Sequence, residues 1–310
     1  MLKNPQTAGV WMMVIAVLSI PLSDAIAKLL TQSLSVGQIT LFRFLFQGLI
    51  LLGLLVILSK LNHWKFQLGR LTRQTFFLGS LIALSILFLF WGLNYLPLAN
   101  NIALFFIEPL VLVLLSAVLL KEPVTLNRWL AVCLGLIGAL VVIRPNWALY
   151  GWSSLLPILA AIFYAAYMVF TRKWSNDIQL QTALSIQFNI ALAALVIMLG
   201  FSLVAIPLNW PLFALQVPSF LETIDLFFIG AISAAVHILI ILALAKANAS
   251  LLAPLQYLEI FGAIILGWLW FSEIPDLLTA IGMTIIVISG LWVIKQSQPK
   301  SAVSTSTIQD

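Results

Sequence analysis

Long apolar segments separated by short polar stretches recur along the whole chain. Charged and turn-forming residues divide it into ten such segments, at approximately 9–31, 36–59, 74–95, 98–120, 127–144, 152–172, 180–206, 222–245, 249–272 and 277–295. A helix needs about 20 apolar residues to cross the hydrocarbon core of a bilayer, so each segment is suited to one crossing. The unbroken runs exclude the alternating pattern of a membrane β-barrel. The pattern therefore predicts an all-α membrane protein with ten transmembrane helices.

The composition excludes the other broad classes of protein. Of the 310 residues, 63% are hydrophobic and 8% are charged, whereas a soluble domain carries about 25% charged residues. Such a chain cannot cover a soluble surface with polar groups, and it is too apolar to be disordered. The net charge is +5, but the basic residues are scattered singly between apolar segments, so we expect no nucleic-acid partner.

The lysine and arginine residues predict the orientation in the membrane. With the N-terminus inside, twelve of the fifteen fall on the inner side, Arg144 falls on the outer side, and Lys28 and Arg43 lie within spans. Basic residues favour the cytoplasmic side of a membrane. We therefore expect a multi-pass protein of a bacterial-type inner (plasma) membrane with both termini cytoplasmic. The polar residues 297–310 are expected to form a disordered cytoplasmic tail.

An internal repeat relates residues 78–143 to residues 229–294 at a fixed offset of 151. Three pairs coincide at this offset: Gly79 with Gly230, Glu108 with Glu259, and Glu122 with Glu273. The pairing is informative because acidic residues are scarce in this chain. It predicts one five-helix half over 1–145 and another over 146–296. An odd number of spans inverts the second half, as in many secondary transporters whose substrate site lies between the halves.

Glu108 and Glu259 are placed near the middle of their predicted spans. A charge at the bilayer centre costs about 2.5–3.5 kcal/mol on insertion scales, so the protein must compensate for it. One interpretation is a pair of carboxyls that face a central cavity, where they bind a cationic group or carry a proton. The alternative is that both are neutral and hydrogen-bond across helices as packing residues.

Asp24, Lys28 and Arg43 form a second set of charged residues within the spans. Asp24 and Lys28 are four residues apart and share a helix face. With Arg43 they are candidates for a site that binds a substrate carboxylate or phosphate, although a structural ion pair and a snorkelling Lys28 are alternatives. His237 corresponds to Ile86 in the first half, and is either a proton acceptor or a helix-packing residue.

Uncharged side chains supply further candidates. The amides Asn101, Gln187 and Gln256 need hydrogen-bond partners in an apolar medium. Trp91, Tyr167 and Tyr257 are candidates for stacking on a planar or cationic ligand, although we expect most aromatic residues to face lipid or the interface. The helix-end residue Glu122 is expected to pair with Lys121 or Arg128.

Several short segments carry a family resemblance. They are Asn94-Tyr95-Leu96-Pro97-Leu98-Ala99, Glu108-Pro109 and Lys121-Glu122-Pro123 in the first half, with Ala253-Pro254, Glu259 and Glu273 in the second. With ten spans in two halves, they resemble the EamA-type branch of the drug/metabolite transporter superfamily. Ile260 stands where the first half has the proline after its glutamate. Ser23-Asp24-Ala25-Ile26-Ala27-Lys28 and Phe42-Arg43-Phe44 are similar to the subset that includes S-adenosylmethionine uptake carriers.

The resemblance implies a secondary carrier that works by alternating access. It favours a small polar metabolite as substrate (an amino acid, an amine or a compound like S-adenosylmethionine), with protons as a candidate coupling ion. The sequence contains no GxxxxGK[ST], HExxH or GxSxG motif and a single cysteine, Cys133, so we expect no cofactor, metal or catalytic residue. An intramembrane enzyme and a non-transporting scaffold are the alternatives.

Overall fold

The computed structural model describes residues 5–61, 71–96, 98–143, 151–174, 180–205 and 207–271, together with the separate residues 277, 281, 282, 284, 285, 288, 289 and 292. The α-helices are α1 (Pro5–Leu30), α2 (Val36–Leu61), α3 (Arg73–Leu93), α4 (Leu98–Phe105), α5 (Glu108–Leu119), α6 (Leu126–Ile143), α7 (Leu155–Trp174), α8 (Leu180–Ala205), α9 (Phe220–Lys246), α10 (Ala249–Leu252) and α11 (Glu259–Phe271). Short 3-10 helices cover Gly151–Ser154, Pro211–Phe213 and Ala253–Leu258. The described residues therefore contain continuous helix in nine of the ten predicted segments and separate helical residues in the tenth, 277–295.

Seven helical stretches of the described chain are long and apolar enough to cross a membrane. They are α1, α2, α3, Gly151–Trp174, α8, α9 and Ala249–Trp270. The apolar helices Glu108–Leu119 and Leu126–Gly138 are shorter. Most of the predicted span 277–295 and the whole tail 297–310 lie outside the described residues. The chain is a multi-pass, helical membrane protein.

The predicted fourth span is interrupted at its middle. Helix α4 ends at Phe105, and α5 begins at Glu108 with Pro109 in its first turn. Proline has no N–H, and its ring collides with the carbonyl four residues earlier, which here belongs to Phe105. The interruption therefore follows from Pro109, and it makes Glu108 the first residue of a new helix.

The ninth span is interrupted at the corresponding place by a different proline. After the short helix α10, residues Ala253–Leu258 form a 3-10 helix that contains Pro254, and α11 then begins at Glu259. Ile260 thus does not preserve a continuous helix in the second half. Glu108 and Glu259 thus both begin a helix in mid-span, and the backbone N–H of Glu259 donates to carbonyls of the preceding 3-10 turn.

The long helices pack in a continuous row in which the two halves of the sequence alternate. Helix α1 packs against α9, α9 against α2, α2 against α8, α8 against α3, and α3 against α7. Helix α11 covers α1, and α5 covers α7. We call α1, α2, α9 and α11 bundle 1, and α3, α4, α5, α7 and α8 bundle 2. Each bundle contains helices from both halves, and α2 and α8 supply the main contact between bundles.

Two glycines related by the offset of 151 allow close helix packing inside each bundle. A Cβ on Gly79 of α3 would lie 2.6 Å from Cβ of Ala193 and 2.9 Å from the backbone N of Ala194 on α8. A Cβ on Gly230 of α9 would lie 2.5 Å from Cβ of Phe46 and 2.9 Å from the backbone N of Gln47 on α2. Small residues at such crossings let helix backbones approach without a bulky side chain between them.

Candidate functional site

A small internal cavity lies between the two bundles. Its volume is about 40 Å³, which is room for roughly three water molecules. Bundle 1 lines it with Ser23, Asp24, Arg43, Ser233, His237 and Glu259, together with Ile20, Ile232 and Val236. Bundle 2 lines it with Ile86, Leu89, Phe90, Phe105 and Tyr164. The structure thus brings four predicted site residues, Asp24, Arg43, His237 and Glu259, into one space.

Arg43 is held by two neighbours on bundle 1. Its Nη2 lies 2.9 Å from Nε2 of His237, and its guanidinium carbon lies 4.8 Å from the ring centre of Phe44. Since a guanidinium only donates, His237 accepts through Nε2 and is uncharged in this contact. Nη1 of Arg43 is buried with no hydrogen-bond partner among the described residues. One face of the guanidinium is therefore fixed and another N–H group is left for a ligand.

Two carboxyls share this space with the single guanidinium. Asp24 is 6% exposed and Glu259 is 5% exposed, and Oδ2 of Asp24 has no hydrogen-bond partner in the part of the chain that is described. Lys28 lies one turn beyond Asp24 on α1, is partly exposed and is not part of the cavity lining. An ionised carboxylate buried in this way requires a positive partner or a proton.

Glu108 does not line this cavity, so the two mid-span glutamates occupy different surroundings. Its carboxyl is fully buried beside Gln256 and near Tyr257. Both carboxyl oxygens, Nε2 of Gln256 and the hydroxyl of Tyr257 lack hydrogen-bond partners among the described residues. The ring of Tyr257 fills the space beside Gly135, where a Cβ would lie 2.1 Å from its Cδ2. These residues form a second buried polar cluster.

The remaining candidates have structural contacts outside the cavity lining. Nδ2 of Asn101 donates to the carbonyl of Leu89 at 3.0 Å. Nε2 of Gln187 donates to the hydroxyl of Tyr167 at 3.1 Å, and the Tyr167 ring meets the His237 ring edge-on at 5.9 Å. Tyr167 therefore packs against His237 without lining the cavity itself.

The tyrosines and tryptophans among the candidates differ in burial. Tyr164, Tyr167 and Tyr257 are buried in the core rather than facing lipid. The Tyr167 hydroxyl, for example, is hydrogen-bonded to the Gln187 amide inside the protein. Trp91 is half-buried and lies 6.4 Å from Trp152 between ring centres, in an aromatic group near one helix end.

Several lining residues were missing from the predicted site. Ser233 precedes His237 by one helical turn and Ser23 adjoins Asp24, so their spacing could have indicated a shared face. Phe90 and Phe105 carry no such signal, because an apolar side chain in a membrane helix is equally suited to lipid and to a cavity wall.

A network around Arg172 joins the two bundles at one end of the molecule. Nη1 of Arg172, in the last turn of α7, donates to the carbonyl of Leu244 at 2.6 Å, and Nη2 donates to Oδ1 of Asn248 at 3.3 Å. Nε donates to Oε1 of Glu122 at 3.3 Å. The other oxygen of Glu122 accepts from the hydroxyl of Ser250 at 3.2 Å. The guanidinium thus satisfies a carbonyl at the end of α9 that has no partner in its own helix.

Glu122 is paired, as expected for an acid at a helix end, but its ion pair is with Arg172, a partner that was not predicted. The chain turns at Lys121, whose φ of 53° lies in the left-handed region, and Glu122 meets Arg172. Arg128 instead donates to Oγ of Ser250 at 2.7 Å and to the carbonyl of Pro123 at 3.1 Å.

A second network joins the segments 31–38 and 214–222 at the opposite end. Nε2 of Gln38 donates to the carbonyl of Gln216 at 2.7 Å, and the backbone N–H of Gln216 donates to Oε1 of Gln38 at 3.0 Å. The hydroxyl of Ser33 donates to Glu222, and that of Ser35 donates to the carbonyl of Ala214 at 2.7 Å. The two networks lie at opposite ends of the helices that line the cavity. No group of three or more His, Cys, Asp or Glu side chains among the described residues is placed to hold a metal ion.

Comparison with known proteins gives matches to membrane transporters. A sequence model of the EamA-like transporter family matches the chain twice, over residues 7–144 and 151–295. The chain is 26% identical over 296 residues to an S-adenosylmethionine uptake transporter of Rickettsia prowazekii (strain Madrid E), with 94% of each chain covered. It is 30% identical over 214 residues to a riboflavin transporter of Vibrio cholerae serotype O1, covering 68% of this chain and 67% of that protein.

The overall fold also matches a solved structure. A crystal structure of 18% sequence identity superposes with a TM-score of 0.72, over 94% of this chain and 97% of the other. At that identity the likeness shows a shared fold alone.

Proposed function

Because the chain belongs to the EamA-like transporter family, we propose that it moves a small polar metabolite across the membrane by alternating access. The chain is a membrane transporter rather than an enzyme, in keeping with its family and the names of its relatives. Amino acids, amines and compounds like S-adenosylmethionine are the proposed substrates. The observation that carries the proposal is a cavity between the two bundles that is lined by charged side chains.

The proposed architecture is ten transmembrane helices in two inverted five-helix halves, over 1–145 and 146–296. The double match to the family model supports it. So do the interruptions before Glu108 and Glu259 and the close packing at Gly79 and Gly230, since both features recur in the two halves. The distribution of lysine and arginine supports a bacterial-type inner membrane with both termini cytoplasmic.

The moving units in this proposal are the two bundles rather than the two halves of the sequence. Helices of the first half pack mainly on helices of the second, so the halves have few internal contacts that would keep each one rigid. The bundles meet at an apolar contact in which Leu51 and Leu55 of α2 face Leu184 and Ala191 of α8. Rocking at this contact would break the Arg172 network, which joins α7 of bundle 2 to the end of α9 of bundle 1.

We further propose that protons are coupled to substrate movement through Glu108 or Glu259. Both carboxyls are buried, so an ionised form requires a cation and a neutral form requires a proton. A substrate cation and a proton that compete for one carboxyl would exchange across the membrane. Coupling then requires that the carboxyl binds the proton in one conformational state of the carrier and releases it in the other.

Uptake into proteoliposomes tests these proposals. The labelled panel is S-adenosylmethionine, a neutral and an aromatic amino acid, and a polyamine, each with and without an imposed pH gradient. Saturable uptake of a panel member is expected, and its absence for every member in folded protein would contradict the substrate proposal.

Amide variants test the proton coupling separately. Glu108→Gln and Glu259→Gln are measured beside Asp225→Asn, which removes an acid from α9 outside the cavity lining. At least one glutamate variant should lose gradient-driven accumulation, and the Asp225 control should keep it. Undiminished gradient-driven transport by both glutamate variants would exclude them as coupling residues.

A further inference from the structure

A second and larger cavity lies at the end of the molecule that the Arg172 network joins. Its volume is about 320 Å³. It lies between the C-terminal ends of α5 and α7 and the segment that follows α9, and its lining residues are Leu119, Leu120, Glu122, Arg172, Lys173 and Asn248. None of these residues lines the cavity between the bundles. This space, which we call the end pocket, is therefore separate from the proposed transport site.

The charged side chains of the end pocket leave one positive charge unbalanced. Nε of Arg172 lies 3.3 Å from Oε1 of Glu122, so these two formal charges cancel. The ammonium of Lys173 has no carboxylate partner in the part of the chain that the structure describes. Lys121 and Lys246 are exposed close to the pocket residues in sequence and add further positive charge. The end pocket therefore attracts a ligand with one negative charge.

Hydrogen-bond donors are also available in the end pocket. A guanidinium carries five N–H groups and an ammonium carries three. Arg172 donates to Glu122, to Asn248 and to two backbone carbonyls. These four bonds leave one N–H of the guanidinium without an acceptor among the described residues, beside the ammonium of Lys173. Arginine and lysine donors placed together are suited to a phosphate group.

The apolar side of the end pocket continues onto the surface of α5. Leu119 lines the pocket and is exposed, and so are Val118 and Leu114 on the same helix. Leu114 and Val118 are four residues apart and share a helix face. In a membrane protein, exposed apolar side chains of this kind contact acyl chains. A ligand whose phosphate lies in the pocket can therefore place acyl chains along α5.

The proposed orientation places the end pocket at the cytoplasmic face of the membrane. Arg172 and Lys173 belong to the basic residues assigned to the inner side. The cytoplasmic leaflet has a negative surface potential because it carries anionic lipids, and basic pockets between transmembrane helices on that side bind anionic headgroups. The position of the pocket thus favours a lipid as the source of the phosphate.

We propose that the end pocket binds an anionic phospholipid, with its phosphodiester on Lys173 and Arg172 and its acyl chains along α5. A lipid with a net charge of −1, such as phosphatidylglycerol, neutralises the unpaired lysine. The ammonium of phosphatidylcholine would instead add a second cation beside it. Lys173 makes none of the bonds that cross between the bundles, so the lipid can be removed without breaking the Arg172 network.

Displacement of a fluorescent phosphatidylglycerol from the purified full chain in detergent tests the proposal. Unlabelled phosphatidylglycerol and phosphatidylcholine with the same acyl chains are the competitors. Phosphatidylcholine should need an at least about fivefold higher concentration for half-displacement, which is the contribution of one basic residue at a membrane surface. Equal half-displacing concentrations would overturn the proposal. The assay measures lipid binding alone, so its result does not depend on which metabolite the protein carries.

Variants assign the preference to the end pocket. Lys173→Ala should weaken phosphatidylglycerol binding about fivefold and leave phosphatidylcholine binding unchanged, and Lys173→Arg should keep the preference. Lys60→Ala is the matched control, because Lys60 is an exposed lysine in the last turn of α2 and does not line the pocket. Equal weakening in Lys173→Ala and Lys60→Ala would indicate a general attraction to basic surface and would overturn the site. Lys173→Gln replaces the alanine variant if that variant does not fold.

Inorganic phosphate as a third competitor separates the lipid from a free anion. If the acyl chains contribute to binding, phosphate should displace the fluorescent lipid only at concentrations at least about tenfold above those of unlabelled phosphatidylglycerol. Displacement by both at the same concentration would show that the chains contribute nothing, and would overturn the lipid as the occupant.

Discussion

Replacing Arg172 by alanine should open the end of the molecule that its network closes. The two shorter bonds of the side chain across the bundles go to the carbonyl of Leu244 at 2.6 Å and to Oδ1 of Asn248 at 3.3 Å, and a weaker one goes to the carbonyl of Ala245 at 3.4 Å. Its bond to Glu122 at 3.3 Å lies within bundle 2 and fixes the guanidinium for those contacts. Alanine removes all of these bonds, so the closed arrangement loses stability relative to one in which the bundles are apart.

The size of the effect follows from the bonds that cross between bundles. A hydrogen bond to a charged group contributes about 1.5–3 kcal/mol when buried. The Arg172 side chain is 19% exposed, which favours the lower part of that range, and the bond of 3.3 Å is long. Together the two bonds should contribute about 2–3 kcal/mol. That corresponds to an increase of about 30- to 150-fold in the ratio of open to closed molecules at this end.

Accessibility of a cysteine in the cavity measures that ratio. Ser233 lines the cavity, so Ser233→Cys is introduced with Cys133→Ser, which removes the exposed native thiol. A membrane-impermeant maleimide is then applied from one side of the membrane at a time. Arg172→Ala should raise the labelling rate by one to two orders of magnitude from the side of the Arg172 network and not from the other.

The neighbouring lysine supplies a matched control. Lys173 also ends α7, and its ammonium lies 5.9 Å from the ring of Phe170, a contact within the same helix. Lys173→Ala should leave both labelling rates unchanged. If Arg172→Ala labels no faster than Lys173→Ala, or labels faster from both sides equally, the network does not close one end as argued.

Three further predictions concern packing and the opposite end. Gly230→Ala should lower the free energy of unfolding by about 1–3 kcal/mol, seen as a lower Tm in detergent, because its Cβ would lie 2.5 Å from Phe46; Gly48→Ala, whose Cβ meets nothing within 4 Å, should not. Gln38→Ala breaks the reciprocal bonds that join α2 to Gln216, in the segment before α9, and should lower the free energy of unfolding by about 1–3 kcal/mol; an unchanged Tm would show that the pair contributes nothing to stability. Tyr167→Phe leaves the Gln187 amide unpaired in the core and should cost about 1–3 kcal/mol in thermal unfolding, whereas a Tm equal to that of the unaltered protein would indicate that Gln187 finds another partner.

The positions of the helices could be predicted well from the sequence because the bilayer sets their length. The boundaries predicted for the first, second and seventh spans, for example, differ from those of α1, α2 and α8 by four residues or fewer. Charged residues and prolines mark where the chain must leave the apolar region. The fourth and ninth spans were predicted as continuous, and the effect of Pro109 and Pro254 on their middle was missed.

The directions of the side chains could not be predicted in the same way. In a membrane both the lipid-facing and the inward-facing side of a helix are apolar, so hydrophobicity does not tell them apart. This is why Phe90 and Phe105, which line the cavity, were not among the predicted site residues. Repeat symmetry likewise placed Glu108 and Glu259 in equivalent surroundings, whereas only Glu259 lines the cavity. The partner of Glu122 depended on a turn at Lys121 that no local pattern indicated.

The interleaving of the helices has a consequence for how the protein is made. Helix α1 packs most extensively against α9, which lies about 200 residues later in the chain. At about 5–20 residues per second, a ribosome needs on the order of 10–40 s to supply it. During that interval Asp24 and Arg43 are already in the insertion machinery without the residues that later surround them. The N-terminal half is therefore not a module that matures first, and separately expressed halves should accumulate only when both are synthesised together.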